Sequence, residues 1–275
     1  MREEKLKGIL LGCGVVFLLV FCLAPFFWMI TLSVSKFPDF LVRERFIFTL
    51  KNYKEILTIA NLSFLDYLKN SLIVSGTAAF ASTIIGALAA YAVSRLNFPG
   101  KVFMVLFILA LSMLPQISVI GYLYKFMSAL GWINTYSALI FPYIAWSLPL
   151  ALWMLLSYFS QIPDEIDKAA LVDGASRLQI LTKVIVPLAL PGFLATILLL
   201  FIFSFNEFLF SLMLTTDFRA QTVPVGISLF EGIHGEIPWG YIMAASAISS
   251  IPVIIIALLF QRYIIEGLTG GAVKQ

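Results

Sequence analysis

Six long apolar stretches divide this chain, and they constrain its fold more than any other feature. A helix needs about 20 apolar residues to cross a hydrocarbon core of about 30 Å, and each stretch has that length. The sequence therefore predicts an all-α integral membrane protein with one transmembrane domain over residues 1–275. The predicted spans are approximately Ile9–Ser33, Leu68–Ser94, Val102–Met127, Tyr136–Ser160, Leu188–Leu212 and Tyr241–Ile265.

The composition agrees with this fold class and excludes several others. Hydrophobic residues make up 61% of the chain and charged residues 12%, whereas about a quarter of a soluble domain is charged. The net charge of +3 does not indicate a nucleic-acid partner. Cys13 and Cys22 lie about 14 Å apart along one helix, too far to form a disulfide. Because the chain has one histidine, His234, we expect no metal site and no cofactor.

The N-terminus and the basic residues together predict the orientation. The first apolar run extends from about Gly8 to Val34, longer than a signal peptide, so we expect a retained span. With the N-terminus inside, ten of the 18 lysines and arginines lie in the cytoplasm, and the short outer hairpins carry only Lys125 and Arg219. The pattern indicates a multi-pass protein of the inner or plasma membrane with both termini in the cytoplasm. Trp132 and Trp239 fall near outer span ends, where indoles favour lipid headgroups.

Two spans contain residues that bend or pack membrane helices. Small residues recur at every fourth position of the second span, a spacing that allows close approach of another helix. These residues, which form either a fixed packing seam or a sliding one, are Ala78, Ser82, Gly86, Ala90 and Ser94. Pro115, Pro142 and Pro149 lie deep in the third and fourth spans, where each leaves a backbone carbonyl without its usual donor. A wet path or a buried neighbour could satisfy those carbonyls.

The fifth span carries a carboxylate, Glu207, about 9 Å below its predicted outer end. In a continuous helix, Ser204, Glu207, Ser211 and Thr215 would share one face. An ionisable residue inside a span usually faces a cavity or a partner, so this face either lines a solute path or joins helices through polar contacts. The residues predicted to line a path are Gln116, Ser204, Asn206, Glu207 and Ser211.

The polar segment 161–187, between the fourth and fifth spans, predicts two short helices. Pro163 and Asp164 are typical of a helix start, and Gly174 of a helix end. Ser176 is suited to cap a second helix, whose apolar face comprises Leu178, Leu181 and Ile185. Such a face would dock on another protein or lie among lipid headgroups. The acidic residues in the first turn argue against adhesion of this helix to an anionic membrane leaflet.

The spacing within this segment carries a resemblance. Lys168-Ala169-Ala170 is followed by three residues, Gly174, nine residues and Val184-Ile185-Val186-Pro187. The pattern resembles the EAA loop of the inner-membrane permeases of binding-protein-dependent ABC importers. Lysine here replaces the first glutamate of the motif, with Glu165 and Asp167 close by. The resemblance implies that this loop couples to an ATPase through Glu165, Asp167, Lys168, Ala169, Ala170, Asp173, Gly174, Ala175 and Pro187.

Within that family, the chain looks most like the second permease of maltose- and trehalose-type carbohydrate importers. Three stretches carry this similarity: Ser94–Gly100 (SRLNFPG), Phe205–Phe208 (FNEF) and Gly267–Lys274 (GLTGGAVK). The resemblance implies a second related permease, a dimer of ATPase subunits and an extracytoplasmic sugar-binding protein as partners. It further implies a binding-protein-facing loop at Gly232, Ile233, His234, Gly235 and Glu236, and a tail that contacts the ATPase through Gly270 and Gly271.

The predicted function is therefore the permease subunit of an ATP-driven importer of a di- or oligosaccharide such as maltose or trehalose, working by alternating access. Gly100-Lys101 is followed by Val102, so the chain has no phosphate-binding loop and we expect no ATPase site in it. The alternatives are a permease for another solute, such as glycerol phosphate or a polyamine, and a secondary transporter. A membrane enzyme would need a catalytic constellation that this sequence does not show.

Overall fold

A computed structural model describes residues 2–36, 46–59, 62–230 and 237–270. Over these ranges the chain is helical, and its one extended pairing there is an antiparallel bridge between Ser35 and Phe48. The helices are α1 Arg2–Ser33, α2 Lys51–Thr58, α3 Phe64–Arg95, α4 Lys101–Leu111, α5 Gln116–Ala129, α6 Tyr136–Phe159, α7 Asp164–Val172, α8 Arg177–Leu188, α9 Leu190–Phe205, α10 Leu209–Leu214, α11 Val223–Ser228 and α12 Trp239–Gly270.

Four of the six predicted spans are single helices, namely α1, α3, α6 and α12. Each is long and apolar enough to cross a membrane. Two further pairs of helices pass the same test of length and composition only when taken together, and both are bent: α4 with α5, at 91°, and α8 with α9, at 85°. If each bent pair counts as one span, the described residues contain six spans, the number that the sequence predicts.

The third predicted span, Val102–Met127, is not one straight helix, and its break falls at Pro115, one of the prolines that the sequence places deep in the spans. Helix α4 ends at Leu111 and α5 begins after Pro115, whose own backbone is extended. A proline disfavours the helical conformation of the residue before it, which explains why the chain breaks here. Prolines do not always break these helices, since α6 continues through both Pro142 and Pro149.

The fifth predicted span, Leu188–Leu212, is also wrong as one helix. Helix α9 ends at Phe205, and α10 begins only at Leu209. The predicted single face through Ser204, Glu207, Ser211 and Thr215 therefore does not exist as a helical stripe, because Glu207 lies in the break.

The chain divides into two compact units. The first consists of Met1–Phe64 and Ile227–Ile251. Within it, the Asn52 amide donates to the carbonyls of Ser33 (2.8 Å) and Ser35 (3.0 Å), which fixes α2 at the end of α1. The Tyr241 hydroxyl donates to Glu55 (2.5 Å), which ties the start of α12 to α2.

The second unit consists of Leu65–Gly226 and Pro252–Gln275. Its core forms where α3 packs on α6, and the contact is close. A Cβ added to Gly86 would lie 2.7 Å from the Cβ of Ala151, so only glycine fits there. Ala78, Ser82 and Ala90 on the same face of α3 are fully buried. The recurring small residues thus serve close helix packing, which stabilises membrane helices through van der Waals contact.

Candidate functional site

The loop between α6 and α9 folds as the sequence predicts at its turn. Helix α7 begins after Pro163 with three acidic residues in its first turn and ends at Val172. Gly174 has a left-handed φ of +82°, and its amide donates to the Leu171 carbonyl (3.1 Å). The next amide, of Ala175, donates to the Ala170 carbonyl (3.0 Å). These two bonds form a complete Schellman motif, so the predicted role of Gly174 as a helix terminator is confirmed.

The second helix of the loop starts with a capping box. The Ser176 hydroxyl accepts from the Gln179 amide (3.3 Å), and the Gln179 side chain accepts from the Ser176 amide (2.8 Å). Both terminal donors are thereby paired, as the predicted cap requires. A π-helical turn over Leu181–Ile185 follows just before Pro187, which has no amide hydrogen for an α-helical bond.

An ion-pair cluster anchors α7 to the end of α3. The Arg95 Nε lies 3.0 Å from a carboxylate oxygen of Asp167, and both side chains are only 5% exposed. Arg95 also donates to the Ile162 carbonyl (2.8 Å) and pairs with Asp164 at the surface. The Tyr91 hydroxyl donates to the other oxygen of Asp167 (3.2 Å). These contacts join the end of α3 to α7 and so attach the loop between α6 and α9 to the second span.

The apolar residues of α8 are mostly covered by the chain itself. Ile180, Leu181 and Ile185 are buried in a core with Leu155 and Phe159. The sequence predicted a docking face of Leu178, Leu181 and Ile185. That prediction is wrong for Leu181 and Ile185, because the 85° turn into α9 directs them inward, and only Leu178 remains exposed.

A different apolar surface remains open, and we call it the loop tip: Ala169, Leu171, Val172 and Leu178. All four side chains are exposed, Val172 to 88%. Ala170 and Ala175 are half-buried against the core, which explains why both are small. Of the nine predicted coupling residues, Asp167 is buried, Ala170 and Ala175 are half-buried and the other six are exposed.

The predicted path residues lie in different surroundings. Glu207 is buried, and its carboxylate accepts from the Tyr143 hydroxyl (2.8 Å) and from the amides of Phe210 (2.8 Å) and Ser211 (3.2 Å). It therefore caps α10. The Ser211 hydroxyl accepts from Thr222 (2.8 Å). Ser204 is buried without a hydrogen-bond partner among the described residues, Asn206 is exposed, and Gln116 starts α5 half-buried.

A polar cluster fixes the segment that follows α10. The Asn70 amide donates to the carbonyls of Phe218 (2.8 Å) and Gln221 (2.9 Å), and its oxygen accepts from Tyr136 (2.6 Å). Nearby, hydrogen bonds from Arg219 and Asn134 hold the pKa of the Asp217 carboxyl well below its usual range.

The predicted binding-protein-facing loop, residues 232–236, lies outside the described residues, as does Gly271. Gly270 is the last residue of α12.

The outer tryptophan Trp132 stacks on Phe141 with ring centroids 5.3 Å apart. It packs against a buried core, which is compatible with a position near the end of a span.

Sequence reasoning missed three side chains that organise these sites, namely Arg95, Asn70 and Tyr143. The sequence indicates for Arg95 only a positive charge on the cytoplasmic side. Its position at the end of a span, next to a Pro-Gly turn, was the one available signal that it lies near the polar loops at that end of the helices. Asn70 and Tyr143 had no such signal, because their partners are distant in the chain.

The sequence of this chain is similar to those of known proteins over most of its length. Residues 82–270 match the family model described as "Binding-protein-dependent transport system inner membrane component". Over its whole length, the chain is 55% identical to the trehalose/maltose transport system permease protein MalG of Thermococcus litoralis, covering 99% of that protein. It is 40% identical to the trehalose transport system permease protein SugB of Mycobacterium tuberculosis, over 92% of this chain and 93% of that one.

A solved structure shows the same fold. It is the crystal structure of a bacterial ABC transporter involved in the import of the acidic polysaccharide alginate. The superposition has a TM-score of 0.79 at 22% identity and covers 96% of this chain and 98% of the other.

Proposed function

We propose, because the chain belongs to the family of inner membrane components of binding-protein-dependent transport systems, that it is the permease subunit of an importer for trehalose, maltose or a similar disaccharide. The observation that carries the substrate class is the 55% identity to a trehalose/maltose permease over the full length of both chains. The chain is a multi-pass membrane protein, and its termini lie in the cytoplasm in this proposal.

The loop tip is the docking surface for an ATPase subunit. Ala169, Val172 and Leu178 expose apolar surface where two short helices meet, and an exposed apolar patch at such a place is typical of a protein interface. Lys168 and Glu165 are exposed beside it and supply polar contacts at the rim. A dimer of ATPase subunits then binds one such tip from this chain and one from a related second permease.

The ion-pair cluster transmits movement of the tip to the membrane. When ATP closes the ATPase dimer, a tip bound to it is displaced, and α7 carries α3 with it through Arg95 and Asp167. Alternating access follows if the tip fits the closed and open ATPase dimers with different affinity, because only differential affinity shifts an equilibrium. ATP itself binds to the ATPase subunits, since this chain has no phosphate-binding loop.

Reconstitution tests the proposal. This chain, a second permease, the ATPase and the extracytoplasmic binding protein are placed in lipid vesicles, and ATP-dependent uptake of labelled trehalose and maltose is measured. We expect uptake that requires all four components, and no ATP hydrolysis by this chain alone. Uptake without the ATPase would contradict the importer assignment. A binding protein that retains a phosphate ester or a polyamine instead of a sugar would overturn the substrate class.

A further inference from the structure

The contacts of the short helix α2 fix its depth in the membrane. Helix α1 is apolar from Leu10 to Ser33, and these 24 residues, at 1.5 Å each, extend about 36 Å, more than a hydrocarbon core of about 30 Å. Ser33 therefore lies at or just beyond the edge of the hydrocarbon. Because the Asn52 side chain donates to the Ser33 carbonyl (2.8 Å), α2 lies at the same level, among the lipid headgroups.

Further hydrogen bonds hold the residues on both sides of Asn52 at this level. The Thr49 amide donates to the Val34 carbonyl (2.7 Å), just past the end of α1. The Tyr241 hydroxyl, at the start of the apolar helix α12, donates to Glu55 (2.5 Å). The segment 46–59 is thus attached to the end of one span and to the start of another.

The open face of α2 is amphipathic. Ile56 is buried, whereas Leu57 and Leu50, the residue directly before the helix, are exposed. Leu50 and Leu57 are seven positions apart, close to two helical turns, and they form one apolar row. Lys51 and Lys54 are also exposed and form a basic row beside it. A row of leucines next to a row of lysines is typical of a helix that lies in the plane of a membrane surface.

The surroundings of this face favour lipid as its partner. Phe46 and Phe48, which precede the helix, are exposed and add aromatic surface at the same level. Lys51 is paired with Glu55 at 3.5 Å, while Lys54 forms no ion pair among the described residues. One positive charge therefore faces outward beside the apolar row. Acyl chains and an anionic headgroup supply both complements at once, because a phospholipid carries them in one molecule.

We propose that the segment Phe46–Ile59, which we call the interfacial segment, is a binding surface for anionic phospholipid. Leu50 and Leu57 enter the upper acyl region, and Lys54 pairs with the headgroup phosphate. In the orientation proposed above this is the outer leaflet. The bound lipid fixes the depth of the attached ends of α1 and α12. This inference uses neither the sugar nor the ATPase, so it stands apart from the importer assignment.

Fluorescence quenching tests the depth of the interfacial segment. In a background with Cys13→Ser and Cys22→Ser, an uncharged fluorophore is attached to Leu57→Cys or, as the matched control, to Thr58→Cys. Both positions are exposed, and they lie about 100° apart on one helix. The assembled importer is studied in lipid nanodiscs. A quencher on the upper acyl chain should act more strongly on the label at position 57, and aqueous iodide on the label at position 58.

Three results would overturn the proposed lipid contact. The first is equal quenching at the two positions, and the second is stronger quenching of the label at position 57 by iodide. The third is a label at position 57 that neither quencher reaches, which would show that a protein subunit covers this face. If Leu57→Cys does not assemble, Leu50→Cys carries the same expectation.

The headgroup preference is measured with the same label on Leu57→Cys. Phosphatidylglycerol and phosphatidylcholine with identical quencher chains are added in turn at low fraction. We expect about fivefold enrichment of the anionic lipid, the effect of one unpaired lysine at a membrane surface. Lys51→Gln with Lys54→Gln should abolish this preference. Lys69→Gln with Lys125→Gln removes the same charge from two other exposed lysines and should keep it. Equal quenching by both lipids without these substitutions, or equal loss in both double variants, would refute the anionic contact.

Discussion

The guanidinium of Arg95 lies 3.0 Å from the carboxylate of Asp167, and both side chains are almost fully buried. Arg95 is the last residue of the second membrane helix, and Asp167 belongs to α7, the first helix of the polar loop between α6 and α9. This pair is the structural reason why a movement of that loop would reach the membrane. Asp164, which also pairs with Arg95, is 63% exposed and provides a natural comparison.

Asp167→Asn should loosen the attachment of α7 to α3. Removal of one partner from a buried ion pair costs about 3–5 kcal/mol, because the remaining charge stays buried. We expect the lower end here, since Arg95 keeps the Ile162 carbonyl and Asp164 as acceptors. The measurement is hydrogen exchange of residues 164–172, together with sugar-stimulated ATP hydrolysis in the assembled importer. We expect faster exchange and weaker stimulation.

Asp164→Asn is the matched control for that variant. It removes the same kind of charge from the same arginine, but at a solvent-exposed position, where an ion pair contributes about 0–1 kcal/mol. Exchange and stimulation should stay near those of the parent. Equal effects of the two variants would show that burial of the Arg95–Asp167 pair is unimportant for coupling.

Val172→Asp should weaken ATPase binding and leave the membrane fold intact. The side chain is 88% exposed, and exposed substitutions usually change stability by less than about 0.5 kcal/mol. A carboxylate buried in a docked apolar contact is costly, so less ATPase should be retained on affinity purification of this chain. Gln161→Glu adds the same charge at another exposed position of the loop and should retain the ATPase. Full retention by Val172→Asp would remove Val172 from the interface.

Substitution of Gly174 should strain the turn through the backbone alone. An added Cβ would meet nothing within 4 Å, while the φ of +82° costs an L residue about 1–2 kcal/mol. Gly174→Leu should therefore reach the membrane at normal abundance but retain less ATPase, or hydrolyse ATP without uptake. Gly174→Asn is the control, because asparagine tolerates the left-handed conformation better. Normal retention, stimulation and uptake in Gly174→Leu would refute the coupling role of this turn.

The Glu207 variants distinguish a capping role from a path role. Glu207→Ala leaves the Tyr143 hydroxyl and the amides of Phe210 and Ser211 without their acceptor, at about 1–3 kcal/mol for each buried group. We expect a lower yield of assembled importer. Glu207→Gln keeps the shape and one acceptor oxygen, so its yield should be close to that of the parent. The uptake by the importer that does assemble then shows whether the charge of Glu207 also acts in the path. Impaired uptake in a fully assembled Glu207→Gln importer would place the charge in the path, and normal uptake in both variants would exclude it.

The Asp217–Arg219 pair predicts acid resistance in the segment after α10. Because the folded pKa of Asp217 is lowered, its contribution to stability is present above the unfolded pKa and is lost only as the pH falls through the folded value. Hydrogen exchange of residues 215–222 should therefore change little on acidification to about pH 4. Arg219→Gln removes the main cause of the shift, so the same loss of protection should begin at higher pH. Identical pH profiles would contradict this assignment.

Much of the loop between α6 and α9 was predictable from its sequence because its turns are local. Gly174, Ser176 and Pro163 act on residues within four positions, and each was placed correctly. The docking face was predicted less well. Leu181 and Ile185 follow the same helical spacing as Leu178, but the direction of the next span buries them. Spacing identifies a face of a helix, and only the neighbouring helices determine whether that face is covered.

By itself, the sequence determined the six apolar stretches, the helical class and the local turns, because membrane thickness, hydrogen bonding in lipid and helix capping depend on residues close together in the chain. The tertiary structure alone decided that Leu181 and Ile185 are covered, that Asp167 faces Arg95 and that Glu207 caps a helix against Tyr143. Those outcomes depend on contacts between residues far apart in sequence. Their free energy comes from desolvation and packing, which exist only once the helices have assembled.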